Sequence, residues 1–158
     1  MRIFHKMMSF LSSNKKPVQI YHDQIFGEMK YDPDSEGWNV PLMCDKKEIT
    51  LTVDGNWNAA GSDVVVPSAE LLRWAYRIND DIITFINDLN KFIQLELATN
   101  DNIVEFKREL SGLQISGIHL GPDANMGVAV VTFDGGSDDR SWRCDYNNYE
   151  PIAFGYDS

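Results

Sequence analysis

A chain of 158 residues, 43% hydrophobic, 24% charged and 11% aromatic, is long enough for one domain with its own core and too apolar and aromatic for disorder. Its formal charge is −10, and residues 1–16 carry Arg2, Lys6, Lys15 and Lys16 without an acid, so residues 17–158 hold −14, ten bases against twenty-four acids. That field repels nucleic-acid phosphates and anionic membrane and steers cationic partners inward, which argues against nucleic acid as the partner.

The first eleven residues place Ile3, Phe4, Met7, Met8 and Leu11 on one helical face. His5 and Lys6 interrupt the apolar run and no small-residue cleavage pattern follows, so residues 1–16 read as a short helix and a Ser12 to Pro17 linker rather than an export signal. No apolar stretch is long enough to span a bilayer. Residues 17–158 then read as a single domain. Strands are expected over Val18 to Tyr21, Ile25 to Tyr31 (with a bulge at Gly27), Trp38 to Met43 and Glu48 to Val53. In the last of these Ile49, Leu51 and Val53 share one face and Glu48, Thr50 and Thr52 the other, the pattern of a sheet with one wet side.

From Ser68 to Ala98 the residues Leu71, Ala75, Ile78, Ile82, Phe85, Leu89 and Phe92 recur in four-three steps, which predicts one long amphipathic helix with Ile82 and Phe85 in the core. At about 1.5 Å per residue it would span roughly 46 Å, long enough to invite a kink near Asn79-Asp80-Asp81. A second, short helix is expected over Ile103 to Leu110, capped by Asn102. Strands over Leu113 to His119, Gly127 to Phe133, Ser141 to Tyr146 and Pro151 to Phe154 complete the chain. The grouping predicts an α+β fold, an antiparallel sheet packed against one long helix, with a short second helix and C-terminal strands.

The order of elements, with Ile25-Phe26-Gly27-Glu28-Met29-Lys30-Tyr31-Asp32 early, Val66-Pro67-Ser68-Ala69-Glu70 leading into the helix and Phe154-Gly155-Tyr156-Asp157 at the end, resembles uncharacterised bacterial domains of unknown function. Some of these accompany polymorphic toxins as immunity proteins. The resemblance implies toxin neutralisation and assigns no catalytic residue.

Chemical motifs are sparse. Asp32-Pro33-Asp34-Ser35-Glu36-Gly37 imitates the start of a calcium loop, but its twelfth position is Met43 where a glutamate is needed. His5, His22 and His119 are scattered, no phosphate-cradling glycine motif occurs, and neither a metal nor a cofactor is expected. Cys44 and Cys144 lie in no metal or redox spacing and predict reduced thiols in a cytoplasmic protein.

Residues 133–157 are the most distinctive, with six carboxylates and two arginines among aromatics. Asp138, Asp139, Trp142, Asp145, Tyr146, Tyr149 and Glu150 are the candidate partner-binding residues, the acids steering a basic protein and the aromatics anchoring it. Core packing is the competing role for Trp142, and Arg140 and Arg143 are expected to pair with Asp138, Asp139 and Asp145. The resulting expectation is a non-enzymatic, acidic bacterial binding protein, an immunity protein that occludes the active surface of a cognate basic toxin. Two other readings stand beside it: a small-ligand or catalytic domain with a pocket between sheet and helix using His119, and a dimerisation module built on the long helix.

Overall fold

A computed structural model of the chain describes residues 18–44, 46–55, 66–121, 127–137 and 139–157. The expected N-terminal helix and linker, and Asp138, lie outside the described residues.

Strong alternation of apolar and polar residues produces strands, and among the described residues eight of them form a single sheet in chain order. They are β1 Ile20–Asp23, β2 Gly27–Asp32, β3 Gly37–Cys44, β4 Lys47–Asp54, β5 Gln114–Leu120, β6 Ala129–Asp134, β7 Ser141–Asn147 and β8 Glu150–Asp157. Helices α1 Ala69–Asp80, α2 Ile82–Thr99, α3 Asp101–Val104 and α4 Lys107–Leu110 connect β4 to β5. The fold is mixed α/β, as expected, but strands dominate it and no single long helix spans the sheet.

Several expectations require correction. The sheet is not wholly antiparallel: β4 pairs with β5 in parallel, Leu51 opposite Ile118 and Val53 opposite Leu120, whereas every other neighbouring pair is antiparallel. A connection that crosses one face of the sheet as helices returns the chain in its original direction, which a hairpin cannot do. Two four-stranded meanders therefore meet side by side at the parallel pair.

The second correction concerns the long helix. Asp81, at φ −139° and ψ 59°, leaves the helical region; its N–H closes α1 on the Arg77 carbonyl and its carboxylate accepts the Thr84 N–H at 3.1 Å to cap α2. The apolar register continues across the break, but burial does not. Helix α1 buries Leu71, Leu72, Trp74, Ala75 and Ile78, whereas α2 fully buries only Leu89 and leaves Ile82 and Phe85 half-buried at the edge of the core. The expected Asn102 cap is also displaced. Asn100 accepts the Asn102 N–H, and the segment divides into two single turns, α3 and α4.

The core lies between the helices and one face of the sheet, where Trp38, Val40, Leu42, Leu51, Val53, Ile118, Leu120, Val131, Trp142, Cys144 and Phe154 point inward. Full burial of residues such as Leu51 and Leu120 contributes about 1.5–3 kcal/mol each. Gly27 does not form a bulge; at φ +71° it closes the β1–β2 turn. Gly121 has a double requirement: its φ is +82°, and a Cβ there would collide with the Leu71 side chain, so α1 settles onto the end of β5 only over glycine.

Candidate functional site

Alternation along β7 divides the predicted site residues. Trp142, Cys144 and Tyr146 face the helices, while Arg143 and Asp145 face the open side of the sheet. Trp142 is 1% exposed and stacks on Phe154 with ring centroids 5.3 Å apart. Its indole N–H donates to Glu109 Oε1 at 2.7 Å. The aromatic nominated as an anchor is thus a core residue, with its one polar atom satisfied from α4.

Glu109 organises that end of β7. Its carboxylate accepts from Arg140 Nη2 at 2.9 Å and from the Ser137 N–H at 2.9 Å as well as from Trp142. The Arg140 hydrogen bonds first, then those from Ser137 and Trp142, hold its carboxyl down at about 2. Arg140 lies against Glu109 with its guanidinium 4.5 Å from the Phe106 ring centre; its expected pairing with Asp138 falls outside the described residues. Arg143 does pair with Asp145, at 3.4 Å, and more closely with Asp157 at 2.8 Å. Asp139 is exposed beside Arg140, at the end of β7 remote from Tyr149 and Glu150.

The other end of β7 brings Tyr146, Tyr149 and Glu150 together. Asn148 and Tyr149 form the β7–β8 turn with φ +51° and +66°. Two-residue hairpin turns with positive φ at both positions favour glycine at the second, so a tyrosine there is held against local preference. Such strain persists only where the surroundings fix it. Here the surroundings are visible: the Tyr149 N–H donates to the Gly127 carbonyl at 2.9 Å, and its ring meets Trp74 edge-on at 4.9 Å. A Cβ on Gly127 would crowd the turn backbone at 2.7 Å, which makes that loop position a glycine as well.

Between this turn and the α1–α2 break lies an open groove of about 350 Å³. Trp74, Phe85, Tyr146 and Tyr149 give it an aromatic lining, and Asp81, Asp88 and Glu150 stand with them along it. Tyr146 is 5% exposed and stacks on Phe85 at 5.7 Å; burial first, then nearby negative groups including Asp88, push its hydroxyl pKa up. Tyr149 is 39% exposed. One cation already lies on the wall: Arg77 sits 5.2 Å above the Tyr149 ring. Aromatic faces beside carboxylates attract guanidinium and ammonium groups, so a lining of this kind can hold a cation. The sequence assigns no binding role to Trp74, Arg77, Asp81, Phe85 or Asp88, placing Phe85 in the core and Asp81 at a helix kink. The one sequence signal that pointed to them is the Asn79-Asp80-Asp81 run, whose helix break opens the groove.

A second polar feature lies on the open face, at the C-terminal ends of the parallel strands. His119 Nε2 and Asp54 Oδ1 are 2.7 Å apart, with Asp54 5% exposed, and Thr52 donates to Asn39 at 2.7 Å beside them. His119 alternates with the inward-facing Ile118 and Leu120, so it points away from the helices and cannot serve a pocket between sheet and helix. Such a cleft of about 310 Å³ does exist under α2, bordered by Cys44, Lys47, Ile86 and Asn90. Cys44 and Cys144 are not joined by a disulfide, and burial pushes the Cys144 thiol up to about 12. The Asp32 to Gly37 segment is a hairpin turn in which Asp32 accepts from the Asp34 N–H and the Ser35 hydroxyl. Among the described residues no three histidine, cysteine or acidic side chains converge as metal ligands, and no helix is long and apolar enough to cross a membrane.

Compared with known proteins, the chain matches no family model, no curated protein and no solved structure.

Proposed function

We propose that this chain is an acidic bacterial binding protein that receives a basic element of another protein, and that it acts as an immunity protein by occluding the active surface of a cognate basic toxin. The observation that carries the reading is the aromatic groove, with Tyr149 held at positive φ and Asp81, Asp88 and Glu150 beside it. The charge of −10 extends that local complementarity into a long-range field, which raises the encounter rate with a basic partner. The role is binding and not catalysis, and a reducing cytoplasm suits the unbridged Cys44 and Cys144.

The partner residues of this reading are Tyr149 and Glu150, joined by Trp74, Asp81 and Asp88, with Asp139 and Asp145 supplying field rather than contact. Trp142 and Tyr146 support the surface from within. A second reading is favoured by the groove's size, which falls within the roughly 300–1,000 Å³ of small-molecule sites: a small organic cation in place of a protein side chain. Affinity purification from the native host with the parent chain and with Tyr149→Gly and Glu150→Gln variants tests the proposal. The expected result is a basic protein retained by the parent, lost with either variant, and toxic when expressed without this chain. Retention independent of both substitutions, or a retained protein that is harmless alone, overturns it.

A further inference from the structure

Strand β8 is an outer strand of the sheet: among the described residues it hydrogen-bonds to β7 alone. It is eight residues long, about 26 Å at 3.3 Å per residue, whereas β1 at the opposite edge has four. Exposed strand edges are commonly blunted by lysine, proline or short length. In Glu150-Pro151-Ile152-Ala153-Phe154-Gly155-Tyr156-Asp157 there is no lysine, the proline lies at the start, and Ile152 to Tyr156 form an uncharged run. Ile152 is 57% exposed and Tyr156 37%.

We infer that β8 is a docking edge on which an extended basic segment of the protein partner adds as a ninth strand, with its cationic end reaching the groove. The inference rests on the groove reading above and specifies how the partner arrives. Continuity supports it, because Tyr149, Glu150 and Pro151 border the groove and begin the strand. Charge selects the occupant. A second copy of β8 pairing antiparallel at full overlap would set Glu150 against Asp157 twice, and like charges directly opposite destabilise a strand pair. The chain's net charge of −10 opposes self-association further. A strand bearing lysine or arginine near its ends meets these acids favourably, its backbone amides supply affinity, and alternate side chains supply specificity.

The test uses the full chain, isotope-labelled, with blocked nine-residue peptides as probes: one alternating valine with arginine and threonine, the same peptide with alternate amides N-methylated, and one with glutamate in place of arginine. The expected result is that the first peptide slows amide exchange in Ile152 to Tyr156 at least tenfold, and that the other two bind at least tenfold more weakly. Equal binding by the N-methylated peptide with signals moving at Trp74 and Tyr149 overturns strand addition while leaving the groove reading intact. No binding by the basic peptide also overturns strand addition; argininamide, which needs only the groove, then decides the groove reading separately. Equal binding by the acidic peptide overturns the charge argument, and a homodimer that Ile152→Lys dissociates makes a second copy the occupant and overturns the proposal.

Discussion

Helix α1 touches two hairpin turns, and the two are finished differently. At β1–β2 the Asp23 carboxylate accepts the Ile25 and Phe26 N–H groups and the Tyr76 hydroxyl, and Gly27 supplies the positive φ. Burial opposes ionisation of Asp23, but these hydrogen bonds together hold its pKa below the usual value, while burial and Asp23 raise Tyr76 to about 12. At β7–β8 the positive φ falls on Asn148 and Tyr149, the turn is tied by a backbone bond to Gly127, and the Tyr149 ring is left partly open over Trp74. The first turn uses its carboxylate within the turn and on α1. The second keeps an aromatic in a strained position beside acids, which is the difference expected between a structural turn and a binding one.

The sharpest way to break this comparison is at the aromatic that β7 buries. Trp142→Ala should destabilise the free protein by about 3–5 kcal/mol, since it opens a cavity and removes a donor from Glu109. Urea denaturation checks this, and a variant as stable as the parent would return Trp142 to the surface. Next comes Glu109. Its folded pKa of about 2 lies below the unfolded carboxyl value near 4.3, so the stability it contributes is complete above that value and is lost as pH falls toward 2. Melting temperature against pH should therefore fall less steeply between 4.5 and 2 in Glu109→Gln than in the parent. Equal slopes would show that Glu109 does not secure this end of β7.

Smaller changes sharpen the contrast between turns. Asp81→Ala should cost about 1 kcal/mol through the lost cap on α2, read as a lowered melting temperature. Tyr149→Gly should leave stability almost unchanged, because relief of about 1 kcal/mol of backbone strain offsets the loss of a ring contact of similar size. The same substitution should weaken binding of cations at the groove, which keeps its other aromatics and acids. A loss of more than about 2 kcal/mol would make Tyr149 a structural residue and dissolve the comparison.

How much of this was legible in the sequence depends on the range of the interaction. Period-two alternation in Ile49, Leu51 and Val53, or in Trp142, Cys144 and Tyr146, reports which face is buried, and it located the strands to within a few residues. The break at Asp81 was half-legible: the acidic run suggested a kink, but continuous apolar spacing concealed how little of α2 would be buried. The parallel β4–β5 pair depends on where the helices return the chain, which no local pattern encodes. The link from Glu109 to Arg140 and Trp142 joins residues 31 and 33 positions apart and leaves no periodic trace. Of the predicted partner residues, Tyr149 and Glu150 reach the groove surface and Tyr146 lines it from the core, whereas Trp142 is buried at the far end of β7 and Asp145 faces the open side of the sheet, because adjacent strand residues face opposite sides.

The central claim, that the strained turn and the helix break together make a cation-recognition surface while the polar open face does not, is tested most directly by titrating the labelled protein with argininamide and mapping the signals that move. The account predicts shifts concentrated at the Trp74 indole, Tyr149, Glu150 and Asp81, diminished in Tyr149→Gly and weakened by salt. Shifts centred instead on His119, Asp54 and Asn39, or spread evenly over the acidic surface, would contradict it.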